Sequence, residues 1–367
     1  MKLERVLVTG GAGFIGSHLV ERLIFEEGVK VTVLDNFNDF YDPGIKRRNL
    51  DRVRDHENFT LVEGDIRNRS DVQRAFATVD PSLGPVDAVV HLAAMAGVRP
   101  SIENPGLYMD VNIMGTQNLL DCAADQSSRD QSSRDQSSRD QSSRDQSSRG
   151  QTPPFFVFAS SSSVYGERQA EHFRESDRTD RPISPYAASK MAGEMLCHTA
   201  HKNTGLDVVC LRFFTVFGPR QRPDLAIHKF CRLIDEGKPI EVYGDGSTQR
   251  DYTYIRDIVD GVMGVFGMDR PCFEIINLGR SEPVVLKDMI ACIEKSLGRK
   301  ADIVHKPMQK GDVPNTFAGI DRARQLLAYH PSTGIEEGIE AFVAWYRENQ
   351  AGAVAVDGGK ARELKSV

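Results

Sequence analysis

A glycine-rich turn between a buried strand and a helix is the feature that most restricts how this chain can fold. The apolar run VLVTG (6–10) leads into Gly10, Gly13 and Gly16, and SHLVERLIF (17–25) follows with helical periodicity. Glycines at this spacing permit a tight turn and bring the backbone close to a pyrophosphate, which the helix N-terminus can bind through its N–H groups. The motif therefore predicts a dinucleotide site.

Strand and helix patterns alternate through the first two-thirds of the sequence. Further strands are predicted at 30–35, 59–65, 86–94, 154–160 and 206–214, with helices at 71–79, 112–124 and 186–203. This alternation predicts a doubly wound parallel α/β sheet of the Rossmann type. Weaker signals predict a smaller C-terminal α/β lobe with elements at 225–236, 239–243, 257–267, 286–297 and 334–348.

Asp35 ends the second predicted strand, where a carboxylate can accept hydrogen bonds from both hydroxyls of an adenosine ribose. The same carboxylate would repel a 2′-phosphate, which favours NAD over NADP. We expect Asp65 and Ile66 to reach the adenine and the turn at 92–94 to lie under the nicotinamide half. The predicted cofactor is NAD.

The predicted domain organisation has three parts. An NAD-binding Rossmann domain covers 1–215, a mainly C-terminal substrate-binding lobe covers 216–350, and 351–367 form a flexible tail. Within the first part, DQSSR occurs five times in tandem over 125–149. A period of five fits neither helix nor strand, so the repeat predicts a disordered surface insertion, with a docking or phosphorylation tail as the alternative.

Composition narrows the class of protein. Forty per cent of the residues are apolar, which is ample for a buried core, and the net charge of −6 argues against broad binding to nucleic acid or anionic membranes. The six cysteines show no CxxC pair, which predicts free thiols in a reducing cytosol and no zinc site. No apolar run approaches the ~20 residues of a membrane span. We expect a soluble cytoplasmic protein without a bound metal.

Tyr186 and Lys190 lie four residues apart on one predicted helix face, after a strand that ends at Ser161. For Tyr186 to act as a base near neutral pH, its pKa must fall by roughly three units, or about 4 kcal/mol. Lys190 and the positive nicotinamide ring are the expected source of that effect. His91, at the end of a buried strand, is interpreted as a packed core histidine and not as a base.

Taken together, several motifs resemble those of extended short-chain dehydrogenases/reductases and, more closely, UDP-glucuronate 4-epimerases. They are TGGAGFIG, HLAAMAGVRPS, SSSSVYG, SPYAASK, LRFFTVFGPRQRPDLAIHKF and DGSTQRDYTYIRD. The resemblance runs from residue 3 to about 348, interrupted only by the repeat. It implies tightly held NAD, a UDP-sugar substrate, and a homodimer that packs through the helices at 112–124 and 186–203.

The resemblance also implies residue roles. Tyr186 would deprotonate the 4-hydroxyl while the C4 hydride passes to NAD, Ser161 would hydrogen-bond the same oxygen, and Lys190 would bind the nicotinamide ribose and lower the pKa of Tyr186. The 4-keto sugar would then rotate and take the hydride back on its other face. The expected cofactor contacts are Gly10, Gly13, Phe14, Ile15, Gly16, Asp35, Asn36, Asp65, Ile66, Leu92, Ala93, Ala94, Asn112, Tyr186, Lys190 and Phe213.

The expected sugar is a hexuronic acid. Related dehydratases and decarboxylases usually place an acid where this chain has Ser162 and Ser163, and galactose-type epimerases generally carry Asn at Thr215. Arg222 could pair with the uronic carboxylate through two hydrogen bonds. Because the 4-keto intermediate is a β-keto acid, we hypothesise that these four residues hold its carboxylate away from the geometry that favours decarboxylation.

Five further substrate contacts are carried over from the family motifs. Arg250 matches a diphosphate contact, Tyr243 is expected to face the uracil, Asp312 matches a uridine ribose contact with Gln309 as a weaker candidate, and Arg99 is expected near the diphosphate or sugar. Three alternatives stay open: a UDP-glucose/UDP-galactose 4-epimerase, a UDP-glucuronate decarboxylase, and an inactive NAD-binding scaffold. The presence of all three catalytic residues argues against the scaffold.

Overall fold

The computed structural model describes residues 3–77, 86–137, 153–167, 172–269, 272–307 and 315–357, and over 127–137 and 350–357 it describes the backbone alone. Its strands are β1 (Arg5–Thr9), β2 (Lys30–Asp35), β3 (Phe59–Glu63), β4 (Ala88–His91), β5 (Phe155–Ser161), β6 (Val208–Phe213), β7 (Thr215–Phe217), β8 (Ile240–Tyr243), β9 (Gln249–Tyr254), β10 (Phe273–Leu278), β11 (Pro283–Val285) and β12 (Ile303–Lys306).

The α-helices alternate with these strands. They are α1 (Phe14–Glu21), α2 (Pro43–Asn49), α3 (Arg69–Ala77), α4 (Val98–Glu103), α5 (Pro105–Met109), α6 (Gly115–Ser137), α7 (Pro185–Thr204), α8 (Ala226–Asp235), α9 (Ile255–Gly264), α10 (Leu286–Leu297), α11 (Asp321–Leu327) and α12 (Ile335–Asp357). A π-helical turn, Arg22–Glu26, continues α1, and a second one, Asp110–Met114, joins α5 to α6. No helix in the described ranges is long and apolar enough to cross a bilayer.

The largest sheet has seven strands in the order β3-β2-β1-β4-β5-β6-β10, and all its neighbours pair in parallel. Its central strands are buried from end to end, as expected for a sheet covered by helices on both faces. This arrangement confirms the predicted Rossmann-type fold. The carboxyl ends of the parallel strands share one edge, where ligands bind in such folds.

Two smaller sheets form the rest of the structure. In one, β9 pairs in parallel with β7 and antiparallel with β11; in the other, β8 pairs in parallel with β12. Side chains from α8, α10 and α12 pack together here around Phe217, Met289 and Phe342. This second core is separate from those that flank the large sheet.

The seventh strand of the large sheet comes from beyond residue 215. After β6 the chain passes through the smaller sheets and then returns as β10, which pairs with β6 from Phe273↔Val208 to Leu278↔Phe213. The large sheet is therefore not built from residues 1–215 alone. The sequence analysis did not predict this strand because Glu274 and Asn277 interrupt its short apolar run.

Two segments predicted to lack structure are helical in their described parts. The first repeats extend α6 to Ser137, because Asp and Arg stand four residues apart in each copy and an existing helix needs no new nucleation. The remainder of 125–149 lies outside the described residues. Similarly, 351–357 extend α12, since AGAVAVD contains strong helix formers and only one glycine. The predicted tail therefore begins as a continuation of α12.

Candidate active site

The turn after β1 forms a cradle that only glycine can line. Gly10 has φ +71°, and a Cβ on it would lie 2.7 Å from the Ala93 nitrogen. A Cβ on Gly16 would lie 2.2 Å from the Gly10 oxygen. Gly13 is the N-cap of α1 and brings no side chain to that helix end, and the first turn, which begins with Phe14 and includes Ile15, contains no acidic residue. The cradle therefore fits a pyrophosphate.

Asp35 lies at the end of β2 and is 8% exposed. Its carboxylate accepts hydrogen bonds from the N–H groups of Ala12 (3.1 Å) and Phe37 (2.9 Å). Burial raises its pKa. The residue thus stands beside the glycine turn, where the sequence predicted a ribose contact.

The carboxylate of Asp65 is engaged within the protein. Arg67 pairs with it at 2.8 Å and holds its pKa at about 2, and the Asn36 side chain donates a further hydrogen bond at 2.9 Å. Ile66 is buried against Gly115 of α6. The predicted adenine contacts therefore sit at the end of β3, but the side chains of Asn36 and Asp65 bind each other.

A directed chain of hydrogen bonds supports the turn that contains Leu92, Ala93 and Ala94. The Ala93 N–H donates to Thr9 Oγ1 (3.2 Å), which lies 2.8 Å from His91 Nδ1; His91 Nε2 lies 3.0 Å from Thr116 Oγ1, which donates to the Asn112 carbonyl (2.6 Å). We assign the Nε2–H tautomer, since only then does each hydroxyl both donate and accept. His91 is 2% exposed, and burial lowers its pKa to about 3.

Asn112, an expected cofactor contact, braces the 92–95 turn in this structure. Its amide nitrogen donates to the Met95 carbonyl and to Ser189 Oγ, both at 2.9 Å, and its amide oxygen accepts the Met95 N–H at 2.8 Å. Both amide hydrogens are thereby used. The side chain fixes the end of the 92–95 turn to α7.

The three predicted catalytic residues meet at the carboxyl end of β5. Ser184 caps α7 by accepting the Ala187 N–H at 3.1 Å, and this places Tyr186 in the first turn of the helix. The hydroxyl of Tyr186 lies close enough to Ser161, at the tip of β5, for that side chain to lower its pKa. One turn on, Lys190 is buried, and its ammonium donates to the Ala159 carbonyl at 2.7 Å.

Burial and a nearby cation both act on the pKa of Tyr186. Burial raises its pKa, while the side chain of Ser161 and the positive charge of Arg222 act to lower it. Burial lowers the pKa of Lys190 to about 8. Arg222 is therefore a cation that acts on the catalytic hydroxyl in addition to the expected Lys190. Bound NAD would add the positive nicotinamide ring that the sequence analysis invoked.

Arg222 follows β7 and is largely buried beside the catalytic residues. Asp224 pairs with its Nε (2.9 Å) and with one terminal nitrogen (2.7 Å), and its guanidinium lies 5.3 Å from the centre of the Phe40 ring. A guanidinium has five N–H donors, so this pair leaves others for a second anion. Thr215 begins β7 opposite Tyr252 of β9.

Ser162 and Ser163 begin the 3-10 turn Ser162–Tyr165 that follows Ser161. The Ser163 N–H donates to Ser161 Oγ, and the Ser161 hydroxyl donates to Ser163 Oγ, both at 3.2 Å. The hydroxyls of Ser161 and Ser163 are thus paired at the end of β5, and Phe213 ends the neighbouring strand, opposite Ser161.

The remaining predicted substrate residues fall into separate groups. The guanidinium of Arg99 lies 5.1 Å from the centre of the Tyr243 ring, which joins α4 to β8. Arg250 lies on β9, opposite Val284 of β11. Gln309 and Asp312 lie outside the described residues.

The sequence analysis missed aromatic residues around this site. The Tyr108 ring packs edge-on against Tyr186 with 6.2 Å between centroids, and its hydroxyl donates to the Ala96 carbonyl at 2.9 Å. Asn104 as N-cap and Pro105 in the first turn start α5 and are signals that could have located Tyr108. Phe40 lies in an irregular loop after β2, for which no comparable signal exists.

Comparison with known proteins places this architecture. Residues 6–279 match the model of the NAD dependent epimerase/dehydratase family. A UDP-glucuronate 4-epimerase of Thermodesulfobacterium geofontis is 39% identical over 345 residues, which cover 94% of this chain and 96% of that protein.

Two solved structures are also similar. The UDP-glucuronic acid 4-epimerase of Bacillus cereus, in complex with UDP-glucuronic acid and NAD, has a TM-score of 0.81 at 33% identity, covering 94% of this chain and 99% of that one. A UDP-glucose 4-epimerase of Thermotoga maritima with UDP-glucose has a TM-score of 0.78 at 28% identity, with the same coverage.

Proposed function

The chain belongs to the NAD-dependent epimerase/dehydratase family, and from this membership we propose that it interconverts UDP-glucuronate and UDP-galacturonate by inverting C4 of the sugar. The proposal rests on Arg222, a partly buried cation whose charge acts on the hydroxyl of the catalytic Tyr186. A sugar carboxylate needs such a cation within reach of C4, whereas a neutral hexose does not.

The residues at the cofactor site fit NAD. The cradle of Gly10, Gly13 and Gly16 would receive the pyrophosphate, Asp35 the adenosine ribose, and Lys190 the nicotinamide ribose. When bound, NAD supplies the hydride acceptor and donor that inversion at C4 requires.

The protein's own residues handle the proton and the carboxylate. The Ser161–Tyr186 pair would receive the sugar's 4-hydroxyl, and Tyr186 would take its proton in the first half of the reaction and return it in the second. Arg222 and the hydroxyls of Thr215, Ser162 and Ser163 would hold the carboxylate of the 4-keto intermediate out of the alignment that releases carbon dioxide. For these serines that role is consistent with the lack of an acidic side chain at 161–163.

We propose that the remaining predicted contacts bind the UDP group. The guanidinium of Arg99 on α4 lies over the ring of Tyr243 on β8, so this contact joins the Rossmann domain to the smaller lobe. Arg250 lies on the three-stranded sheet of that lobe. We assign the diphosphate to the two arginines, the uracil to Tyr243, and the uridine ribose to Asp312 with Gln309.

Proton NMR of the purified protein with UDP-glucuronate and no added reductant tests the function. We expect UDP-galacturonate signals to grow to a stable mixture, and Tyr186→Phe to abolish this growth. A parallel incubation with UDP-glucose distinguishes the neutral-sugar epimerase, and UDP-xylose signals would identify a decarboxylase. No conversion of UDP-glucuronate by the wild-type protein would refute the proposal.

We further propose that the protein is a cytoplasmic homodimer. Its six cysteines are all free thiols, which suits a reducing compartment. The helices α6 and α7 pack side by side. Met114, which directly precedes α6, is 54% exposed, and Met195 on α7 is 63% exposed. Light scattering should give twice the chain mass, and Met195→Glu should give the monomer, whereas Ile303→Glu on β12 should not. A monomeric wild-type protein would contradict the proposal.

A further inference from the structure

A buried ion pair lies directly beneath the catalytic residues. Glu194 on α7 accepts hydrogen bonds from Arg212 on β6 at both oxygens, from Nε at 2.9 Å and from a terminal nitrogen at 2.8 Å. Their side chains are 7% and 3% exposed. Ser160 on β5 donates to the same carboxylate. The guanidinium also lies over the ring of Tyr165, whose hydroxyl donates to Asn277 on β10 at 2.7 Å.

Glu194 lies on the same face of α7 as the catalytic residues. Glu194 lies one helical turn beyond Lys190 and two turns beyond Tyr186. Three consecutive residues at the end of β5 each contact one of these three helix residues: Ala159 contacts Lys190, Ser160 contacts Glu194, and Ser161 contacts Tyr186. A shift of α7 along β5 would therefore break all three contacts together.

Stability alone is a poor explanation for the pair. A fully buried ion pair is often no more stabilising than apolar side chains of the same volume, because both charges lose their hydration. Here Arg212 also has one terminal nitrogen without a hydrogen-bond partner among the described residues. Glu194 lies one helical turn from Lys190, and its charge acts on that buried ammonium. This arrangement points to a role in the reaction.

We propose that Glu194 is a positioning residue for C4 inversion: with Ser160 and Arg212 it fixes the end of β5 against α7 and offsets the positive charge of Arg212 beside Lys190. The inference rests on the proposed function, because that function makes Lys190 a cofactor-binding residue. Arg212 orients the carboxylate, and Tyr165 orients Arg212.

The groups that face Lys190 determine the direction in which Glu194→Gln would move the pKa of Lys190. From α7 they are Tyr186, Glu194 and Cys197, from β4 His91, from β5 the Phe158 ring and the Ala159 carbonyl, and from β6 Arg212 through Glu194. Burial lowers the pKa of Lys190 to about 8, and Cys197 and Glu194 oppose that effect. Glu194→Gln would remove the part of this opposition that Glu194 supplies and leave the charge of Arg212 uncompensated, so both changes would make Lys190 lose its proton at a lower pH.

The titration of Lys190 can be followed without turnover. In protein with ¹³C-labelled lysine, the Lys190 Cε signal is the one lost in Lys190→Met. We expect Glu194→Gln to lower its midpoint by about one pH unit and to move the alkaline limb of kcat equally. Ser160→Ala, which removes a hydrogen bond but no charge, should leave the midpoint in place.

A second variant keeps the proposal testable if Glu194→Gln does not fold. Arg212→Gln leaves the Glu194 charge uncompensated and should raise the Lys190 midpoint, the opposite direction. A purely structural pair would reduce activity in both variants without moving either midpoint, and that outcome would overturn the proposal. A wild-type protein that titrates as expected but does not convert UDP-glucuronate would refute only the proposed function.

Discussion

His91 gives the folded protein a dependence on pH that can be measured apart from catalysis. Burial lowers its pKa to about 3, against about 6.5 in an unfolded chain. The folded state therefore binds fewer protons, so the stability is complete above pH 6.5 and is lost as the pH falls towards 3. Between pH 7 and pH 5 this one residue should reduce the free energy of unfolding by about 2 kcal/mol. Any folded pKa below about 4 gives nearly the same figure.

His91→Gln isolates this effect. A glutamine amide offers one acceptor and a donor, as the assigned histidine tautomer does towards Thr9 and Thr116, but it does not titrate. Urea unfolding of both proteins at pH 7 and pH 5 should show a fall in the wild type that exceeds the variant's by about 2 kcal/mol. His18, whose pKa is lowered to about 4, contributes equally to both and cancels. Equal falls would refute the buried, neutral state of His91.

Three other predictions concern the site and the repeat. Gly16→Ala should weaken NAD binding at least 100-fold by calorimetry, since its Cβ would lie 2.2 Å from the Gly10 oxygen. The control Gly106→Ala, whose Cβ would meet nothing within 4 Å, should bind NAD as the wild type does. Similar affinities of the two variants for NAD would contradict the cradle. Deleting 130–149 should leave kcat within about twofold, because loop closure depends weakly on length, and a large loss of turnover would give the repeat a role. Arg222→Ala should release UDP-xylose during UDP-glucuronate turnover, and unchanged product purity would count against its control of the carboxylate.

The sequence predicted those parts of the fold whose signals are local. Strand β2 has the bounds expected from KVTVLD, and α10 has those expected at 286–297, since each has a full apolar pattern within its own span. By contrast, β10 is recognisable only by its pairing with β6, some sixty residues earlier. Helix α6 continues into the repeat because of the helix before it, which composition does not reveal.

The candidate site also contains parts that the sequence predicts and parts that it does not. The glycine turn and the Ser161–Tyr186 pair were predictable, because their chemistry is encoded in short motifs at strand ends and in a four-residue helical spacing. The bracing role of Asn112 was not, since it depends on contacts with Met95 and Ser189 that only folding creates. The charge of Arg222 at Tyr186 likewise depends on where the chain returns after β7.

The late arrival of β10 in the sheet has a consequence for synthesis on the ribosome. Until residue 278 has been made, β6 is an edge strand whose backbone N–H and C=O groups lack the partner that β10 later provides. Such an edge can pair with another chain. A nascent chain that has not yet reached β10 therefore exposes an unpaired edge strand while the β7–β9 segment is translated. The smallest segment that contains the complete large sheet therefore runs from β1 to β10. A gene fusion or split placed at residue 215 would separate β6 from β10, which pairs with its outer edge.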